Sequence, residues 1–418
     1  MTDVDQNWAR RFFTLWTGQA LSLLGSQLVQ FAIIWYLTQR TGSATTLAIA
    51  SMMGLLPQVI LSPFIGTWVD RGNRRFILIA ADATVAIATL LLAILFALGI
   101  VQVWQIYVAL LIRAVGGGFH QSAFGASVVL LVPKDQLARV QGFNQALTGG
   151  LNIISAPLGA SLLAVLPMQG ILAIDITTAI LAVTIVFFTQ IPQPERRGQS
   201  QGTFWQDFVA GFHYIVAWQG LVILLGLVMV INFFFSAAEP LTPLLITKHF
   251  QGGAPQLGWW LSSFAVGTIL GGLILGAWGG FRRKIVTAQL GLILMGFSTM
   301  IVGIVPANWF WIGLAANTVV GLLLPIINGS FGATLQATIA PEMQGRAFAF
   351  IMSAAMLVSP LALVIAGPFA DRFGIQLWFL IAGISCMLMG IFGFFSSDVM
   401  GMEKKPAEDR KHVISTSS

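Results

Sequence analysis

Residues 66 to 75 read Gly66-Thr67-Trp68-Val69-Asp70-Arg71-Gly72-Asn73-Arg74-Arg75, a short basic loop set between two long apolar runs. At an offset of 210 residues, Gly276-Ala277-Trp278-Gly279-Gly280-Phe281-Arg282-Arg283-Lys284 repeats the glycine, the tryptophan and the basic cluster, again after an apolar run. A second pair of loops keeps nearly the same spacing: Pro133 with Lys134, Asp135 and Arg139, against Pro341 with Glu342 and Arg346, the prolines 208 residues apart. Two matches in register point to a duplicated chain.

The runs on either side of these loops are long enough to cross a bilayer, which takes roughly 20 apolar residues per helix. Before the polar stretch that begins at Pro192, they fall near 12–38, 44–69, 76–99, 104–131, 138–166 and 169–191. After it they fall near 220–246, 257–280, 285–305, 309–338, 347–370 and 375–397. Only 9% of the 418 residues are charged, against about 25% in an ordinary soluble domain, so a water-soluble fold is excluded. The expected architecture is all-α and polytopic: twelve transmembrane helices in two six-helix halves. Three tyrosines, one cysteine (Cys386) and no alternating ten-residue pattern argue against an outer-membrane barrel. The net charge of +6 is scattered between apolar runs rather than gathered on one soluble face, so nucleic acid is not an expected partner. The first run is too long and too polar on one side for a cleaved signal peptide and is expected to stay in the mature protein.

Basic loops stay on the cytoplasmic side. With both termini inside, the inner loops collect Arg10, Arg11, Arg71, Arg74, Arg75, Lys134, Arg139, Arg196, Arg197, Arg282, Arg283, Lys284, Arg346, Lys404, Lys405, Arg410 and Lys411, leaving only Arg40, Lys248 and Arg372 outside. The expected organisation is therefore a six-helix bundle over 1–191, a cytoplasmic linker over 192–219, a second bundle over 220–397 and a cytoplasmic tail over 398–418, in the cell membrane. Within the linker, Phe204, Trp205, Phe208, Val209 and Phe212 share a helical face. That face fits an amphipathic helix on the inner membrane surface and equally a cytoplasmic extension of the seventh span.

Several spans carry polar residues at helical spacing, which lipid penalises unless the stripe faces protein or water. The first has Gln19, Ser22, Ser26 and Gln30, and the fifth has Asn144, Thr148, Asn152 and Ser155. The seventh has Asn232, Ser236 and Glu239, and the tenth Asn317, Gly321 and Asn328. Each stripe alone is accounted for by hydrogen bonds between helices; recurrence in both halves is better accounted for by a shared polar cavity. Phe235 on the seventh span and Met352 and Met356 on the eleventh add surfaces suited to shape-tolerant binding, though packing explains each as well.

Charges within spans are few, and each costs roughly 2.5 to 3.5 kcal/mol at mid-bilayer. They are Asp82, Arg113, Asp175 and Glu239. Counted at about 1.5 Å per residue, Arg113, Asp175 and Glu239 lie at comparable depth in the outer half. An Arg113–Asp175 ion pair is as good an expectation as a coupling role for either. Glu239 has no basic partner in its half, and a carboxylate taken out of water without a cation is more cheaply held as the neutral acid, which makes it the first candidate for proton coupling. Pro240 and Pro243, just after it, are expected to break the helix and hydrate the site. His120 follows Arg113 by seven residues on the same face and reads first as a helix contact.

Catalytic and cofactor signatures are absent. No His or Cys pairs stand at metal spacing, and no Gly-Lys-Ser/Thr phosphate loop occurs. Gly116-Gly117-Gly118 lies inside a span, where it marks close packing. No cofactor, metal or enzymatic activity is expected, and uphill transport would have to draw on an ion gradient.

The loop Gly66 to Arg75 resembles the signature that follows the second span in the major facilitator superfamily, Gly-x-x-x-Asp-Arg-x-Gly-Arg-Arg, with the second glycine moved one place to Gly72. Further strings resemble the macrolide efflux pumps of that superfamily: Trp16-Thr17-Gly18-Gln19-Ala20, Tyr36-Leu37-Thr38, Thr41-Gly42-Ser43-Ala44, Phe119-His120, Leu131-Val132-Pro133, Ala173-Ile174-Asp175 and Ala370-Asp371-Arg372-Phe373-Gly374. The resemblance implies two six-helix domains rocking about a central cavity lined by spans 1, 4, 7 and 10, with proton antiport. It implies that Gly66, Asp70, Arg71, Arg74 and Arg75 form a gating motif, with Asp70 bracing the start of span 11, and that Arg113 stands where the family places a coupling arginine. The antiporter signature of span 5 survives loosely as Ala156-Pro157-Leu158-Gly159-Ala160. Gly367 to Gly374 repeats the Asp-Arg string but falls outside by span count, and is expected to be a turn.

The expected function is proton-coupled export of a bulky amphipathic drug by a monomer in the lipid bilayer. Export of a siderophore or amphipathic lipid is the alternative within transporters. A non-transporting receptor or scaffold is the alternative of another class.

Overall fold

The computed structural model describes residues 8–189, 191, 209 and 212–402; the side chains of Pro63, Asp70 and Lys134 are not described. The described residues form helices and connecting turns, with no strand among them. In chain order the first six long helices are α1 (Trp8–Thr41), α2 (Ala44–Arg71), α3 (Arg74–Ala97), α4 (Val103–Leu131), α5 (Leu137–Val165) and α6 (Met168–Phe188). The next six are α7 (Gln219–Leu244), α8 (Ala254–Trp278), α9 (Lys284–Ile304), α10 (Phe310–Thr338), α11 (Pro341–Phe373) and α12 (Ile375–Phe395), followed by the short α13 (Ser397–Met400). Among the described residues, eleven helices are long and apolar enough to cross a membrane. The twelfth long helix, α4, is interrupted by Arg113 and His120, which lower its hydropathy without shortening it. This is a multi-pass helical membrane protein.

Loop chemistry sets the helix ends. Asn73 caps α3 by accepting a hydrogen bond from the Phe76 amide, and Gly374, at φ +91°, ends α11. Pro240 and Pro243 do not break α7. The helix continues through them and widens into a π-helical turn over Leu245–His249. Nor is Gly367 to Gly374 a turn throughout, because α11 runs on to Phe373.

Two compact units emerge from the packing. Unit 1 comprises 1–42, 49–199 and 253–262; unit 2 comprises 43–48, 200–252 and 263–418. In unit 1, α1 packs on α5 and α6, and α3 packs on α4 and α6. In unit 2, α7 packs on α11 and α12, and α9 packs on α10 and α12. The pairing scheme is the same in both. At helix level the repeat is closer than the loops alone indicate: at a shift of 207 residues, Trp104 and Phe124-Gly125-Ala126-Ser127 of α4 fall on Trp311 and Phe331-Gly332-Ala333-Thr334 of α10. The same shift lays Gln169 and Phe187-Phe188 of α6 on Gln376 and Phe394-Phe395 of α12.

The most extensive helix pairing in unit 2 is between α9 and α12. A side chain on Gly296 would meet Gly383 O and Met387 N, and one on Gly303 would meet Gln376 O and Leu380 N. Backbone therefore packs directly on backbone, as small residues allow in membranes. Cys386 is buried beside this seam, its thiol donating to Leu292 O at 3.4 Å. Most of the linker, including Phe204, Trp205 and Phe208, lies outside the described residues. Residues 212–216 are helical, and Ile215 is buried in the unit 2 core with Leu221, Leu224 and Ile285.

Candidate functional site

The buried charges of unit 1 form two layers. Gln19 and Ser26 on α1, Asp82 and Thr89 on α3, and His120 and Arg113 on α4 are each seven residues apart. Seven residues are two helical turns, about 10.5 Å along an axis, and return to the same face. Because α4 runs opposite to α1 and α3, one layer contains Gln19, Asp82 and His120, and the other Ser26, Thr89 and Arg113, joined by Asp175 from α6.

In the second layer Arg113 Nη1 lies 2.5 Å from Asp175 Oδ2, and the same nitrogen bonds the Thr89 hydroxyl. That hydroxyl donates to Asp175 Oδ2 at 3.0 Å, and Ser26 Oγ donates to Asp175 Oδ1 at 2.9 Å. Asp175 and Thr89 are fully buried. Both carboxylate oxygens are occupied, as a buried ion pair requires if it is to repay its desolvation. Gly25 allows this arrangement, because a side chain there would strike Asp175 and Thr178 and hold α1 off α6.

The first layer is looser. Gln19 Nε2 donates to Asp82 Oδ2 at 3.3 Å, and His120 Nε2 donates to Gln19 Oε1 at 2.7 Å. The imidazole nitrogen stands 3.8 Å from Asp82 Oδ1. Gln19 thus bridges the acid and the imidazole, donating to one and accepting from the other. Gly116 brings α3 and α4 together here, with Ala81 O and Val85 where its side chain would be.

The structure brings together Arg113, Asp175, Asp82, His120, Gln19 and Ser26. Thr89, at the centre of the ion-pair layer, did not stand out in sequence; the signal was its seven-residue spacing from Asp82. Gln19, expected along a polar cavity, is 1% exposed and bridges α1 to α3 and α4. Asn317 is likewise buried and donates to Ser263 Oγ at 3.0 Å. Asn144 accepts from Trp16 Nε1 at 2.9 Å, Asn232 donates to Val228 O, and Phe235 packs against the unit 2 core. Gln30, Asn328, Met352 and Met356 are exposed on their helices. Glu239 is also exposed, with no ion-pair partner among the described residues, so burial is not what distinguishes it.

Of the loop residues, Arg74 is buried and donates to Ala126 O at 2.8 Å, Arg75 lies 5.3 Å over the Phe187 ring, and Arg71 is exposed. The Asp70 side chain lies outside the described residues. The second Asp-Arg string has a defined contact within unit 2. Asp371 accepts from the Ala44 amide at 2.6 Å, the Thr45 amide at 2.9 Å and the Ser43 hydroxyl at 2.8 Å, capping the first turn of α2.

The model of the Major Facilitator Superfamily matches residues 15–239 and again 224–417, once for each half. Macrolide efflux protein A of Streptococcus pyogenes is 35% identical over 386 residues, covering 92% of this chain and 95% of that protein. Macrolide efflux protein A of Enterococcus faecalis is 33% identical, over 77% of this chain and all of that protein. Among solved structures, the nucleoside transporter NupG superposes with a TM-score of 0.69 at 12% identity, covering 92% of this chain and 98% of that one.

Proposed function

From the premise that this chain belongs to the Major Facilitator Superfamily, and is an efflux transporter rather than an enzyme, we propose that it exports bulky amphipathic drugs of the macrolide class in exchange for protons. The drug class is supported by the similarity to macrolide efflux protein A along nearly the whole chain. The proton is supported by the ionisable side chains Asp82, Arg113, His120 and Asp175 gathered inside unit 1 of a chain that has no nucleotide-binding motif. In this reading the protein is a monomer with both termini cytoplasmic, following its basic loops, and works by alternating access. The coupling groups are among Asp82, Arg113, Asp175 and Glu239, with Asp70 and its neighbouring arginines acting at the inner gate.

Drug accumulation in cells expressing the protein tests this. Export should lower cellular macrolide content, and a protonophore that collapses the proton gradient should restore it. Accumulation that stays low after collapse would remove proton coupling.

A further inference from the structure

The Arg113 guanidinium is held by Asp175, whose two oxygens are both occupied, so a proton added to the ion-pair layer would unpair a buried guanidinium. The other layer has no such obstacle. Asp82 accepts one long amide hydrogen bond, and an imidazole waits 3.8 Å away with 12% of its side chain exposed. Unit 2 builds the same helix pairings without these groups. At the 210-residue shift that relates α3 to α9, Asp82 matches Leu292, and at the 207-residue shift of the later helices Arg113, His120 and Asp175 match Val320, Ile327 and Ala382, all four buried and apolar.

We propose that Asp82 and His120, bridged by Gln19, are the proton-binding couple of this transporter, and that Arg113–Asp175 is the fixed charge pair beside it. The assignment deepens the proton-coupled reading above and rests on it. One proton from water converts the anionic couple into a neutral one, either as imidazolium beside carboxylate or as carboxylic acid beside imidazole. Drug binding returns that proton to water. The other ionisable groups facing the couple are Arg113 on α4 and Asp175 on α6, which neutralise each other. On α1 the facing side chains are the uncharged Gln19, Ser22 and Ser26, and α2 has no ionisable side chain between Ala44 and Val69.

The test uses the purified full-length protein and a tritiated macrolide. In weakly buffered detergent with a pH dye, macrolide addition to the wild type should release about one proton per drug bound, whereas Asp82→Asn and His120→Gln should release less than a tenth of that. In liposomes both variants should lose at least tenfold in uptake driven by a pH gradient while keeping the helical circular-dichroism signal of the wild type. Asp82→Glu keeps a carboxylate and should retain proton release with a displaced pH profile, which a merely structural role would not produce. Undiminished proton release in Asp82→Asn, or its loss in Glu239→Gln alone, would overturn the assignment. A wild type that exchanges macrolide but never releases protons or responds to a pH gradient would instead overturn proton coupling itself.

Discussion

The helix group α3, α4 and α6 and its counterpart α9, α10 and α12 are built on one plan and filled differently. In the first, Asp82, Arg113, His120 and Asp175 meet across helix boundaries through side chains. In the second, glycines let main chains touch and the matching side chains are aliphatic. The two groups share a buried threonine: Thr89 and Thr299 stand 210 residues apart, and where Thr299 donates to the carbonyl four residues earlier, Thr89 turns its one proton to Asp175. The same scaffold can be closed by packing alone, so charge inside the first group is an addition with its own cost.

The largest effect expected from this contrast is at the ion pair. Arg113→Gln leaves Asp175 buried without its cation and should lower unfolding stability by about 3–5 kcal/mol. Arg113→Val with Asp175→Ala, which copies the unit 2 residues, should recover most of that loss when thermal unfolding is followed in detergent. A double variant as unstable as the single one would mean that the pair is structural after all. Next is Gly383→Leu, which places a side chain against Met300 N and Gly296 O and should cost about 1–3 kcal/mol or more in the same assay. The matching position in unit 1 is already Ile176, so Ile176→Leu should cost under about 1.5 kcal/mol, the usual range for a volume-conserving exchange.

Much of this contrast was legible in the sequence, but unevenly. The repeat, the spans and their number follow from apolar run length and from loop residues that have no second use. Arg113 and Asp175 were readable as partners because few charges lie in spans and these two share a depth. Asp82 and His120 were not paired, because their contact depends on the antiparallel register of α3 against α4, which periodicity within one helix does not supply. Thr89 was hidden by its type, since threonines commonly satisfy themselves on their own helix. The Asp371 string was read as a turn because span counting stops where apolar character ends, whereas the helix continued for another turn and found a partner 327 residues away in sequence.

Smaller effects sharpen the picture. Removing the cap with Asp371→Ala should cost about 0.5–2 kcal/mol in the same assay, and an unchanged midpoint would show that water replaces the carboxylate. The smallest expected change is for Glu239→Gln, exposed and without an ion-pair partner among the described residues, whose unfolding midpoint should move by no more than the equivalent of about 0.5 kcal/mol.

The sheltered position of Cys386 has a practical corollary. Its sulfur is enclosed between α9 and α12, so a water-borne maleimide should find nothing to react with on the intact protein. Thiols introduced one at a time at Gln30 or Asn328 would then report their own wetting against a silent background, with no native cysteine to delete.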